Sequence, residues 1–423
     1  MSTISNRQLF LNHVAQTSPA PIGLEIVKAK GCSLWDVDGK EFIDLIAGFS
    51  VSNIGHGNQA VIDAITHQIN QHMHLMVYGE IIQSPQVQYA KRLTEFLPEN
   101  LDCVYFTNSG TEATEGVMKL AKRFTGRTQI IAFNKSYHGS TQGALSIMGD
   151  EYFRNAYRPL LPDVLHLDFN DLNCIDFITS KTACVIMETV QAEAGVVKPS
   201  PDWILAIRKK CSETGTLLVL DEIQTGFGRT GTLWAFEQFG IVPDILLLGK
   251  ALGGGMPLGA FISNQAIMNT LTFNPVLGHI STFAGHPVSC AAGLAAFEEL
   301  LSVGGWQLVA RLQTPDKGKQ LKYNHQSSTA ICPSSAIQAK ERLFHSLLIH
   351  PKIKKIRSAG LLMAIEFDSF ETNHAIIQQC LQNDIVTDWF LFAPNCMRIA
   401  PPLIISEEEI KKACGIILES CNA

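Results

Sequence analysis

The stretch LLVLDEIQTGFGRTG, residues 217–231, and its continuation PDILLLGKALGGGMPLGAF, residues 243–261, decide the fold. Leu217–Leu220 and Ile245–Leu248 are short, unbroken apolar runs, the pattern of strands buried on both faces of a parallel sheet. Each run ends beside a chemically able residue, the first at Asp221 and the second just before Lys250. Ligands of open α/β sheets gather beyond the carboxyl ends of the strands. A carboxylate and an amine at neighbouring strand ends can therefore grip one ligand from two sides. Gly249 and Gly253–Gly255 leave backbone room around the lysine for a covalent adduct.

A lysine for a Schiff base and an acid opposite a pyridine nitrogen are the parts that pyridoxal phosphate uses. Taken singly, each residue has a plainer reading. An Asp at a strand end is often a helix cap, and a Lys there is usually solvated. The rest of the chain decides between them.

A chain of 423 residues with 46% hydrophobic and 17% charged content suits a large soluble enzyme with one large domain and smaller ones. A net charge of −6 argues against nucleic acid as a main partner. The first residues, MSTISNRQLFLNHVAQ, lack the basic-then-apolar pattern of a signal peptide. No apolar run approaches the roughly 18 residues of a membrane span. Eleven cysteines without CxxC pairs read as reduced thiols of a cytoplasmic protein. The histidines show no HExxH or comparable spacing, so no metal is expected.

Residues 1–30 read as a leading segment in which Pro19 and Pro21 break any helix. Ser33–Leu45 alternates apolar residues around Asp38-Gly39, a hairpin signal. An N-terminal antiparallel unit over residues 1–58 follows, then helices over Gln59–His72 and residues 84–97. Val104–Thr107 is a strand leading into Asn108-Ser109-Gly110-Thr111 and a helix to Phe124. Such a helix start offers free N–H groups to an anion, or is simply capped by Ser109 or Thr111. Ile130–Phe133 precedes Tyr137-His138, and Cys184–Glu188 ends in a carboxylate with Gln191, Glu193 and Gly195 behind it. A helix over residues 202–214 leads back to the central stretch. Alternation of strands and helices from 104 to 262 predicts an α/β fold with a mainly parallel central sheet and helices on both faces.

Gly226-Phe-Gly-Arg-Thr-Gly231 matches GxGxxG literally. It is a decoy for dinucleotide binding, because the strand ends five residues early and no long helix opens at its last glycine. The large domain is expected over 59–305. A small α+β C-terminal domain over 306–423 carries a polar, aperiodic insert near 313–338 and a strand-like MRIAPPLII containing Arg398.

With these pieces in order, the sequence resembles the class III pyridoxal-phosphate aminotransferases of fold type I. The resemblance spans roughly 20–310 and 340–420 through NSGTEA, YHG, LDEIQTGFGRTG, GKALGGG and the Ser281-Thr282 to His286-Pro287 block. It implies that Lys250 forms the Schiff base with pyridoxal 5'-phosphate and shuttles the proton. It implies that Asp221 keeps the ring nitrogen protonated and that Gln224 lies near the ring hydroxyl. Ser109, Gly110 and Thr111 hold the phosphate, Tyr137 stacks on the ring, His138 supports its loop, and Glu188 lies close to the catalytic centre. Thr282 resembles the threonine that reaches the phosphate of a neighbouring subunit, which implies a homodimer with shared sites.

The pair Glu193 and Arg398 resembles one in relatives that use 2-oxoglutarate, where the arginine binds the acceptor's carboxylate and the glutamate masks it when an ω-amine enters. Phe49 and Tyr78 are expected to complete the substrate side. Ser140 replaces an arginine of the ornithine and acetylornithine branch, Phe49 a tyrosine, and Ala284 and His286 a glycine and an asparagine. Residues 143–162 resemble putrescine aminotransferases. These features imply an ω-amino group transfer from acetylornithine, ornithine, putrescine or a related amine to 2-oxoglutarate by a ping-pong mechanism. A same-fold aminomutase or decarboxylase, or a catalytically silent binding relative, keeps most of the same residues and stays open at this point.

Overall fold

In a computed structural model, residues 5–77, 79–304, 306 and 334–422 are described. Among the described residues fifteen strands form three sheets. The first joins β1 (Ile26–Lys30), β2 (Ser33–Asp36) and β3 (Glu41–Asp44) as antiparallel neighbours. Asp38 and Gly39 sit at the β2–β3 turn, where Gly39 takes φ 81°. The central sheet holds β4 (Cys103–Thr107), β5 (Gln129–Phe133), β6 (Val164–Leu167), β7 (Thr182–Glu188), β8 (Leu217–Asp221), β9 (Ile245–Leu248) and β10 (Gly259–Ser263). Its order is β4-β10-β9-β8-β7-β5-β6. The third sheet contains β11 (Lys355–Ala359), β12 (Leu362–Glu366), β14 (Trp389–Phe390) and β15 (Ala393–Ile399). The remaining strand, β13 (Ile385–Val386), pairs parallel with β3, so the C-terminal part of the chain completes the N-terminal sheet.

Side-chain alternation sorts the central strands into two cores. Leu218, Leu220, Leu246 and Leu248 face one core with Trp203 and Ile207 of the helix Pro201–Thr214 and Phe297 of the helix Pro287–Gly304. Leu217, Val219, Ile245 and Leu247 face the other with Ala113, Val117 and Leu120 of the helix Gly110–Thr125. Every residue of β7, β8, β9 and β10 is buried. Burial on both faces is why these strands read as continuous apolar runs.

β5 through β9 pair in parallel. β10 runs antiparallel to both β9 and β4. Its link from β9 is residues 249–258, too short for a parallel crossover, which takes about a dozen residues or more.

The leading segment differs from expectation. A helix, Asn6–His13, forms ahead of the two prolines, with Ser5 as a capping-box residue, and it buries none of its side chains. The tail of the polar insert also differs, since Ser334–Leu347 is helical. The rest of that insert, 313–333, lies outside the described residues. No helix among the described residues is long and apolar enough to cross a membrane.

Candidate active site

The parallel pairing of β7 with β8 places Glu188 directly beside Asp221, and the next strand places Leu247 beside Asp221. By alternation both carboxylates fall on the face of the helix Gly110–Thr125. Its N-terminus lies at the same edge, with Gly110 packed so closely on Ile223 that an added Cβ would lie 2.8 Å from Cδ1. Lys250 follows two residues after β9 and takes φ 48° in a short 3₁₀ turn, Lys250–Gly253. A left-handed backbone is uncommon for a lysine and marks a constrained position.

These residues meet in a cavity of about 420 Å³. Gly110, Thr111, Tyr137, His138, Glu188, Asp221, Gln224 and Lys250 all line it. Asp221 is buried, with Oδ2 2.7 Å from His138 Nδ1 and Oδ1 accepting the Ile223 N–H at 2.9 Å. His138 therefore reaches the carboxylate itself, a contact that the sequence did not announce. The Lys250 amine lies 3.4 Å from Gln224 Oε1. Burial lowers the lysine pKa, against the opposing pull of Glu193, Asp221 and Glu188. Burial, then Asp221 and Glu193, holds Glu188 well above the usual carboxylate range.

Ser109 does not line the cavity. Its hydroxyl accepts the Glu112 N–H at 3.3 Å and caps the helix, which leaves the N–H groups of Gly110 and Thr111 at the edge. The YHG loop closes tightly on this helix. Gly139 has φ 127°, and a Cβ there would come within 2.2 Å of Thr111 Oγ1. Ser140 also lines the cavity, and its hydroxyl lies 3.1 Å from the Tyr137 hydroxyl.

Beside this cavity lies a buried ionic cluster. Arg398 on β15 donates from Nη1 and Nη2 to the two oxygens of Glu193, both at 2.9 Å. Its Nε donates to Asp388 Oδ1 at 2.9 Å, and Nη2 also reaches the Trp389 carbonyl at 3.2 Å. The guanidinium lies 4.3 Å from the ring centre of Phe390 and 5.1 Å from that of Phe49. Burial opposes ionisation of Glu193, but Arg398 overcomes it and the carboxyl stays low. Burial pushes Asp388 up to about 6 despite its contact with Arg398. Asp388 escaped the sequence reading. Its signal is an acid in the apolar run TDWFLF that a hairpin lays across from Arg398.

Thr282 is exposed and does not line the cavity of its own chain. His286 stacks on His74, with centroids 5.5 Å apart and planes 6° apart. Tyr78 lies outside the described residues. Gly226–Gly231 forms no nucleotide loop. Its buried Arg229 donates to Asn53 and to the carbonyls of Leu361 and Pro401, tying three distant segments together. Among the described residues no metal-ligand cluster is found.

Pyridoxal phosphate fits this donor set. His138 Nε2, Glu188 Oε2 and Gln224 Nε2 are buried without partners, and all three residues line the cavity that Lys250 also lines. A helix N-terminus offers N–H groups to an anionic phosphate, an aromatic side chain a flat face, and a carboxylate and an amine the two reactive edges.

Fold and site together define a pyridoxal-phosphate-dependent transferase. Residues 14–328 match the family described as aminotransferase class-III. The acetylornithine aminotransferase of Methanopyrus kandleri is 35% identical over 97% of both chains. The putrescine aminotransferase of Pectobacterium atrosepticum is 36% identical over 92% of this chain and 80% of its own. Among solved structures, the ornithine aminotransferase of Toxoplasma gondii superposes with a TM-score of 0.84 at 27% identity, covering 100% of this chain and 96% of that one. The chain belongs to the class III aminotransferases, enzymes that depend on pyridoxal phosphate.

Proposed function

We propose that the protein transfers an ω-amino group from acetylornithine, ornithine, putrescine or a related amine to 2-oxoglutarate in a ping-pong cycle. The observation that carries this reading is the buried, doubly hydrogen-bonded Glu193–Arg398 pair beside Lys250 and Asp221. A planar guanidinium presents two parallel N–H groups to a carboxylate, the shape of a 2-oxo acid's acid end. With Glu193 in place the cation is masked, and an uncharged or cationic amine tail meets no bare charge. The names of the matched relatives, acetylornithine and putrescine aminotransferases, support the donor class.

In this reading the backbone N–H groups of Gly110 and Thr111 bind the cofactor phosphate, and the Tyr137 ring sets the cofactor's plane. Asp221, fixed by His138, would hold a proton on the pyridine nitrogen, and Gln224 would serve the ring hydroxyl. Pyridoxal phosphate, when bound, supplies the electron sink that makes the substrate carbon acidic. Lys250 would be the nucleophile that anchors it and the base that moves the proton between carbons. Its lowered pKa keeps more of the amine neutral at a given pH than in an ordinary lysine. Glu188 stands beside Asp221 near the reacting centre, where burial, then Asp221 and Glu193, raises its carboxyl above the usual range.

The active form is proposed as a homodimer. Thr282 stands on an exposed loop with Phe273, Val276, Leu277, Ile280 and Phe283, an apolar surface suited to a second copy whose phosphate site Thr282 would reach. A cytoplasmic setting fits the ten cysteines among the described residues, all free and mostly buried.

The test is a donor panel of putrescine, ornithine, acetylornithine, lysine and 4-aminobutyrate with 2-oxoglutarate, reading glutamate formation. One ω-amine giving glutamate with parallel double-reciprocal lines is expected. No glutamate with any amine from a protein loaded with cofactor would overturn the reading. Light scattering on the eluting protein reads the dimer.

A further inference from the structure

Glu193 and Arg398 are not equally free to move. Among the described residues the glutamate carboxylate has one partner apart from the arginine, the Leu391 N–H at 3.0 Å. Its backbone is fixed, since the Glu193 carbonyl accepts the Phe392 N–H at 3.0 Å, and Gln191 pairs with Val197 across the loop. Arg357 Nε further pins that loop through the Gly195 carbonyl at 2.6 Å. Any movement of Glu193 is therefore confined to its side chain. Arg398, by contrast, keeps three kinds of support if Glu193 leaves. These are the Asp388 carboxylate on Nε, the Trp389 carbonyl on Nη2, and the rings of Phe49 and Phe390.

Asp388 is itself tied to the strand that carries the arginine, because its carbonyl accepts the Arg398 N–H at 2.8 Å. It occupies the Nε side of the guanidinium and leaves the Nη1–Nη2 edge to whichever carboxylate is present. Five N–H donors in a rigid fork allow two acids to share one arginine without competing for the same edge.

We propose that Asp388 is a positioning residue that holds Arg398 still while Glu193 alone exchanges with the α-carboxylate of the 2-oxo acid. This rests on the reading of Arg398 as the acceptor's anchor. Without Asp388 the guanidinium would follow Glu193 or turn its edge away, and acceptor binding would weaken while an amine without an α-carboxylate would be little affected.

The test compares Asp388→Ala and Asp388→Asn in the holoenzyme. Each half-reaction is followed separately, with putrescine as donor and 2-oxoglutarate as acceptor. Glutarate binding is read by calorimetry, a probe that needs no turnover. Asp388→Ala should weaken glutarate and raise the acceptor KM roughly 10- to 100-fold, the range for a hydrogen bond to a charged group. The putrescine half-reaction should change less than about threefold. Asp388→Asn keeps an acceptor for Nε and should restore most of the affinity. If Asp388→Ala does not fold, Asp388→Ser, too short to reach Nε, takes its place.

Equal losses in both half-reactions, or no loss in glutarate binding, would overturn the proposal. Arg398→Gln separates the two claims. If it leaves glutarate binding intact, the anchor reading fails and takes this proposal with it. If it weakens glutarate while Asp388→Ala does not, only the role of Asp388 fails.

Discussion

His138 Nδ1 lies 2.7 Å from Asp221 Oδ2, with both side chains buried at the end of the central sheet. The second oxygen of Asp221 accepts the Ile223 N–H, so the carboxylate is held at both ends. A buried anion held this way needs no reorganisation when a positive charge arises beside it. Asp221→Asn should therefore slow turnover by about 10²- to 10³-fold, the effect of removing one preorganised electrostatic partner. His138→Asn should slow it by roughly tenfold. Steady-state kinetics check both, and near-normal rates in Asp221→Asn would remove the carboxylate from the mechanism.

On the proposed role of Glu193 as a mask over Arg398, its removal should separate the two substrates. Glu193→Gln leaves a buried cation without its bidentate partner, and breaking one side of such a pair is strongly destabilising to whatever state leaves it bare. The ω-amine half-reaction is expected to lose roughly tenfold or more in kcat/KM, while the 2-oxo acid half-reaction holds or improves. Stopped-flow spectra of each half-reaction decide it. Parallel losses would show that Glu193 is structural.

Ser140 lines the cavity where it meets Tyr137 and brings no charge. Ser140→Arg should create an anchor for a second carboxylate. We expect kcat/KM for acetylornithine to rise relative to putrescine by roughly 10- to 100-fold, the worth of a hydrogen bond to a charged group. An unchanged ratio between the two donors would place the donor's far end elsewhere.

Lys250 sets a pH dependence. Burial lowers its pKa below the ordinary 10.5. Below its pKa the amine is protonated and cannot attack, so the rate at which apoprotein captures pyridoxal phosphate should fall as pH drops. The shift moves that fall toward lower pH than for an exposed lysine. A capture rate that half-maximises at 10.5 or above would contradict the burial seen here.

Most of this site was legible in the chain because it is built at strand ends. Continuous apolar runs announced β7, β8 and β9, and a residue within two positions of the end of each run is what a parallel sheet presents to a ligand. Register was not legible. Nothing in the sequence says that Glu188 stands beside Asp221, because that depends on how β7 and β8 align. Contacts between distant segments were equally silent, as His138–Asp221 and Asp388–Arg398 show. The antiparallel β10 follows from a link length that could have been counted. The role of Gly226–Gly231 could not, since Arg229 finds its carbonyl partners only after Leu361 and Pro401 have folded against it.

The most direct measurement is a map of where pyridoxal phosphate is attached. The purified holoprotein is reduced with borohydride and digested, and the labelled peptide is sequenced by mass spectrometry, with and without prior addition of each amine of the donor panel. The account predicts a label on Lys250 in the resting protein and its loss from Lys250 once one of these amines has been added. A label on another lysine, or a label on Lys250 that no amine removes, would contradict it.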